Sequence, residues 1–215
     1  SRTKLDLDYM THNNRHHSLI YHLHGVYDVP LAAWAGFLPI LIITNLVLNA
    51  TLRGANTHKW FSPTRFATLS PTWYYTLLSY LLAGIVRLHG ESYPFPEVVT
   101  MDDPSPIARW IVKTVQEHGS CLVVMTVSKA LRLCIVAHEQ GLDLTGAVIV
   151  VGGEPSTDIK IKTIEASGAR HVSQYSFTEA GAVAIPCMNK KSIDDMHFMS
   201  NHMAMIQRPI AVHDQ

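Results

Sequence analysis

The chain has 215 residues, and its 17 Lys+Arg balance 17 Asp+Glu, so the formal net charge is zero. That balance excludes a broad basic footprint for nucleic acid and a polyanionic tail, while 47% hydrophobic residues exclude disorder as the general state. Charged residues make up 16%, against roughly 25% in ordinary soluble domains, which fits a buried segment, a truncated domain or a membrane protein.

Arg2, Lys4, Asp6 and Asp8 precede a His-rich stretch without signal-peptide architecture. His12 and His16 stand one helical turn apart, but no HExxH accompanies them, so solvated or partly buried histidines are expected rather than a zinc protease centre. No charge occurs between Asp28 and Arg53, and the run over residues 31–52 is long enough to cross a bilayer. Pro39 interrupts it, however, and Asn45, Asn49, Arg53 and Asn56 form a polar stripe at helical spacing beside Leu41, Leu48 and Leu52. The pattern favours a buried helix ending at Arg53-Gly54, with a membrane span as the alternative.

A polar turn is expected at Ser62-Pro63, and residues 73–88 have the length and apolarity of a helix. Pro94, Pro96, Pro104 and Pro106 make residues 92–106 an irregular connection. A helix is expected over 107–117, with Asp103 or Ser105 as N-cap and Gly119 beyond its end. The alternation is then regular. A strand over 121–127 leads to a helix from Ser128 to Gln140, and a strand over 147–151 leads through a turn to a helix from Ser156 to Ser167. A further strand covers 171–175, and short strands near 197–201 and 204–207 follow a loop. This spacing predicts an α/β fold, a mainly parallel sheet with helical crossovers. The chain reads as one incomplete α/β domain: a mostly helical part over 1–106, strand–helix repeats over 107–186, and a loop with short strands over 187–215.

In open α/β sheets, ligands sit outside the carboxyl ends of the strands. Two such ends carry unusual residues. At Gly152-Gly153-Glu154-Pro155-Ser156, paired glycines let backbone approach a ligand, and the helix that follows offers N–H groups to an anion or a polar edge. A tight turn without a ligand explains the same residues. At Gln174-Tyr175-Ser176-Phe177-Thr178-Glu179-Ala180-Gly181, an aromatic face, two hydroxyls and a carboxylate suit a nucleotide and Mg²⁺, and a capped polar loop is the bland alternative. The dinucleotide pattern GxGxxG and the phosphate-loop pattern GxxxxGK[ST] are both absent.

Gly-Gly-Glu-Pro, a helix, and then Tyr-Ser-Phe-Thr-Glu resembles the adenylate-forming (AMP-binding) ligases. In particular it is similar to their phenylacetate–CoA ligase-like branch, which has Gly-[Gly/Ala]-Glu-Pro followed by Tyr-Gly-x-[Thr/Ser]-Glu. The resemblance covers residues 120–187, with Ser176 standing where the family has Gly. It implies an acid activated by ATP to an acyl-adenylate, with release of pyrophosphate, then transfer to a thiol such as coenzyme A or a carrier-protein thiol. By the same resemblance, Gly153, Glu154 and Pro155 line the adenine pocket and Tyr175 stacks on the base. Ser176 and Phe177 complete the nucleotide contact, Thr178 meets the α-phosphate, and Glu179 binds Mg²⁺. The chain then corresponds to the middle of the family's large N-terminal domain, without the glycine-rich phosphate loop or the catalytic-lysine domain. Ser1-Arg2-Thr3 and Lys4-Leu5-Asp6-Leu7-Asp8-Tyr9 resemble the two flanks of that loop with its centre removed. These 215 residues alone are expected to be inactive, and apolar surface left by absent segments is expected to favour homo-oligomers.

Cys121, Cys134 and Cys187 are too few and too scattered for a disulfide framework, so a reducing, cytoplasmic setting is expected. Cys121 and Cys134 read as small core residues. Cys187 with Asp194 or Asp195, His197 and His202 is a candidate zinc set. Two other readings stay open beside the ligase: a non-catalytic α/β scaffold that binds a nucleotide or metal, and a membrane-anchored protein using residues 31–52.

Overall fold

The runs Cys121–Thr126 and Ala147–Gly152 are rich in β-branched residues and lack polar alternation, the composition of strands covered on both faces. Both lie in the interior of a sheet. The computed structural model describes residues 7–37, 57–63, 73–88, 93–177, 180–192, 195–200 and 203–206. In chain order the elements are α1 (Leu7–Leu23), β1 (Leu31–Trp34), β2 (Thr57–Ser62), α2 (Trp73–Leu88), β3 (Pro96–Val98), α3 (Ser105–His118) and β4 (Cys121–Thr126). They continue with α4 (Val127–Glu139), β5 (Ala147–Gly152), α5 (Asp158–Glu165), β6 (Arg170–Ser173), β7 (Tyr175–Phe177), β8 (Gly181–Pro186) and β9 (Met196–Phe198).

Six parallel strands form one sheet in the order β3-β2-β1-β4-β5-β6. The chain starts at β1, winds outward through β2 and β3, then returns to β4 and winds to the opposite edge. The sheet is therefore doubly wound, with its switch point between β1 and β4. Period-two alternation sends Cys121, Val123, Met125, Ile149 and Val151 to one face, where they pack against Ile107 and Ile111 of α3, Leu133 of α4 and Ile164 of α5. Leu122, Val124, Val148, Val150 and Val172 point to the other face and meet Ile20 and Tyr21 of α1 and Ile185 of β8. Farther along that face Ala33 and Trp60 meet Ala83 and Val86 of α2. Burying a Leu, Ile or Val side chain stabilises by about 1.5–3 kcal/mol, so double-sided burial keeps these runs apolar throughout.

A second sheet is antiparallel, in the order β7-β8-β9. It is tied to α1, where Asn13 Oδ1 accepts the Ala182 N–H at 2.9 Å. His16 and His17 are buried on that helix.

The expected alternation from α3 to β6 is present, with shifted caps. Asp103 Oδ1 accepts the Ser105 N–H at 3.1 Å at the start of α3, and the Gly119 N–H closes its end on Val115 O. Several expectations need correction. The helix expected from residue 31 onward begins instead as β1: Ala32, Ala33 and Trp34 are fully buried, and the strand pairs with both β2 and β4. The polar turn expected near Ser62 is the end of β2, and the irregular connection contains the edge strand β3, where Pro96 occupies the first position that an edge strand tolerates. Residues 1–106, expected to be mostly helical, thus contribute β1, β2 and β3. The strand expected over 171–175 is two strands in different sheets, divided at Gln174. β8 is a strand with no counterpart among the expected elements, and no strand occurs over 204–206.

No helix among the described residues is long and apolar enough to cross a membrane. The polar stripe and most of the apolar run, at 38–56, lie outside the described residues, as do residues 1–6 of the expected loop flanks; the rest of the second flank, Leu7, Asp8 and Tyr9, is the first turn of α1.

Candidate functional site

Outside the carboxyl ends of β5 and β6 lies a cavity of about 750 Å³, within the roughly 300–1,000 Å³ of small-molecule sites. Its wall contains Gly153, Glu154 and Pro155 from the turn after β5, and Tyr175, Ser176 and Phe177 from β7. The fold thus brings together two segments about twenty residues apart because β5 and β6 are parallel neighbours: Val151 pairs with Ser173, so both turns emerge at the same edge. Thr178 and Glu179 lie outside the described residues.

Local backbone chemistry shapes this wall. Gly153 has φ +78°, a conformation that side-chain-bearing residues adopt with strain. At Gly152 a Cβ would stand 3.1 Å from Cγ of Gln174, so the missing side chain lets Gln174 cross beneath the turn. The Gln174 N–H donates to Val151 O at 2.9 Å, which anchors the point where the chain leaves the first sheet for the second. Gln174 is buried, and its Oε1 has no partner among the described residues.

Glu154 projects toward the neighbouring helix. Its Oε2 accepts the Ser128 backbone N–H at 2.8 Å and the Ser128 hydroxyl, closing the first turn of α4, which has no cap from its own Thr126 side chain. Burial pushes this carboxyl up, but the Ser128 hydroxyl and N–H, the Thr126 hydroxyl and the charge of Lys160 together hold it below its ordinary range. The carboxylate therefore organises the rim of the cavity. At the switch point, Lys129 Nζ donates to the Trp34 carbonyl at 2.9 Å and lies 5.7 Å from the centre of the Trp34 ring. Burial lowers its pKa, partly offset by the charge of Glu154.

Tyr175 and Phe177, two positions apart on β7, are both exposed, with ring centroids 6.1 Å apart. They offer aromatic surface to a planar ligand. Gln174, the first residue of the second segment, also lines the wall, while Ser173 and Met196 have no signal in the sequence pattern. Ser173 immediately precedes that segment and is reached by extending it backward by one residue, whereas Met196 arrives only through the pairing of β9 with β8 at Pro186. Ser156, expected to cap the helix after β5, instead shares a hydrogen bond of 2.8 Å with Ser173 Oγ, and the helix starts at Asp158.

For the expected zinc set, the Cys187 N–H donates to the Asp195 carbonyl at 3.1 Å, and His197 is exposed on β9. Asp194 and His202 lie outside the described residues. Among the described residues, no group of three or more His, Cys, Asp and Glu side chains is placed to hold a metal ion.

Comparison with protein-family models and with curated proteins finds no match to this chain.

Proposed function

We propose that the chain is the nucleotide-binding segment of a cytoplasmic, ATP-dependent, AMP-forming acid–thiol ligase. The observation that carries this reading is the meeting of Gly153-Glu154-Pro155 and Tyr175-Ser176-Phe177 around one cavity at the carboxyl edge of a doubly wound sheet. The adenine is placed against Tyr175, with the backbone of Gly153 and Pro155 at its edge. In the intact parent, a carboxylate oxygen of the acid attacks the α-phosphorus, the bond to pyrophosphate breaks, and a thiol such as that of coenzyme A then displaces AMP from the acyl-adenylate. Thr178 is the proposed contact to the α-phosphate and Glu179 the proposed holder of Mg²⁺, which supplies neutralisation of phosphate charge. The three cysteines are unpaired, in keeping with a reducing compartment.

The test is a calorimetric titration of the purified chain with ATP and Mg²⁺. Saturable binding is expected, and Tyr175→Ala is expected to weaken it about 5- to 100-fold, the scale of one lost base–aromatic stack. Absence of saturable ATP and AMP binding would overturn the reading.

The second reading, a non-catalytic scaffold that binds a nucleotide or metal, keeps the same cavity and gives Glu154 a purely structural role on Ser128. Glu179→Gln separates the two. Weakened ATP binding in the presence of Mg²⁺ supports the ligase, and unchanged binding supports the scaffold.

A further inference from the structure

A second cavity, of about 190 Å³, opens where the chain leaves α1, beside β6 and the loop after β8. At about 30 Å³ per water it has room for a small polyatomic ion with residual solvent. Arg170 and Lys190 both line it, and Arg170 Nη2 donates to the His24 carbonyl at 2.5 Å, which fixes the guanidinium beside that histidine.

His24 and His171 line it as well. His171 is only 4% exposed, and its Nε2 lies 3.3 Å from Ser173 Oγ. Its Nδ1, like Nε2 of His24, is buried with no hydrogen-bond partner among the described residues. Such nitrogens are unfavourable unless a ligand or ordered water answers them. The Ser156–Ser173–His171 chain suits one tautomer: Ser156 donates to Ser173, Ser173 donates to Nε2, and Nδ1–H remains a free donor.

Two carboxylates also line the cavity beside the two cations. Asp195 Oδ2 accepts the N–H groups of Lys191 at 2.5 Å and Ser192 at 3.2 Å, and Glu165 is exposed at the end of α5. Burial lowers the pKa of His24, and Arg170 and Lys190 lower it further; burial and then Lys190 take His171 down to about 4. Cys187 lines the same space, but a metal cation there would face Arg170 and Lys190.

We propose that this cavity binds a phosphate group, with Arg170 and Lys190 supplying charge and His24 Nε2 and His171 Nδ1 supplying N–H donors. The group is carried either by free phosphate or by a phosphomonoester.

The test follows the imidazole resonances of the purified chain by ¹H–¹⁵N NMR, in phosphate-free buffer, during parallel titrations with inorganic phosphate and glycerol 3-phosphate. Saturable shifts at His24 and His171 are expected. Lys190→Gln, at an exposed position, is expected to raise the Kd by at least about tenfold, the scale of one lost charge-assisted contact. Arg170→Gln is expected to do the same, and Lys190→Gln keeps the test decisive if loss of the His24 contact disturbs the fold. Tighter binding of the monoester assigns the site to a phosphorylated metabolite or group, and tighter binding of inorganic phosphate assigns it to the free ion. Tyr175→Ala is expected to leave these shifts unchanged, which separates this site from the larger cavity. No saturable shift with either probe, or an unchanged Kd in Lys190→Gln, would overturn the proposal. Shifts produced by Zn²⁺ and not by phosphate would do so as well.

Discussion

Glu154, in the turn after β5, closes the first turn of α4 by accepting the Ser128 N–H at 2.8 Å. One side chain thus does for the neighbouring crossover what that helix's own N-cap does not, and it ties two strand ends together at the rim of the larger cavity.

Glu154→Gln keeps an acceptor oxygen but removes its charge, and is expected to lower stability by about 1 kcal/mol, the difference between a charged and a neutral acceptor, and the Tm by about 2–4 °C for a domain of this size. Because the folded state holds this carboxyl below its ordinary range, its contribution is present above the unfolded value and is lost as pH falls through the folded one. Thermal unfolding of the two proteins should therefore show a gap at neutral pH that closes in acid below about pH 4.3. A gap of constant size at all pH values would show that the charge is not what matters.

His171 supplies a second pH dependence. It is held at about 4 in the fold, while an unfolded histidine titrates near 6.5. Above the unfolded value both states are neutral and there is no penalty. Between the two values only the unfolded state binds the proton, so stability falls with decreasing pH by up to about 1.4 kcal/mol per unit from this residue. His171→Gln cannot titrate and is expected to flatten the stability curve between pH 6.5 and 4 in phosphate-free buffer. Parallel curves for the two proteins would contradict a neutral, buried His171.

Thiol reactivity should divide the cysteines. Burial pushes Cys121 up to about 12; it pushes Cys134 up to about 11 against a lowering by the Ser167 hydroxyl. Cys187 is partly exposed in the loop after β8. Brief iodoacetamide treatment of the native chain at pH 8 is expected to modify Cys187 alone, and all three thiols after denaturation, as read by intact and peptide mass. Modification of Cys121 or Cys134 in the native chain would mean that the sheet opens on that timescale.

From α3 to β6 the fold was legible because each element carries its own boundary chemistry. Gly119 ends α3, and β-branched residues crowd β4 and β5. The two turns that line the larger cavity were legible for the same reason: the paired glycines and the aromatic segment each follow a recognisable strand. β1 was not. Leu31–Trp34 is an apolar run at the start of a longer one, and without alternation such a run does not distinguish a buried strand from a buried helix. Only its pairing with β2 and β4 makes it the middle of the sheet.

Local sequence suffices for the α/β class, the parallel crossovers around β4 and β5, and the residue types available at their carboxyl ends, since caps, β-branching and glycine placement act within a few residues. Tertiary structure decided where the chain changes sheet at Gln174, which brings Met196 into the cavity wall and Arg170, His24 and Lys190 around another. Those placements depend on hydrogen bonds such as Asn13 to Ala182 and Arg170 to His24, whose partners are 169 and 146 residues apart, and no local periodicity encodes contacts at that separation.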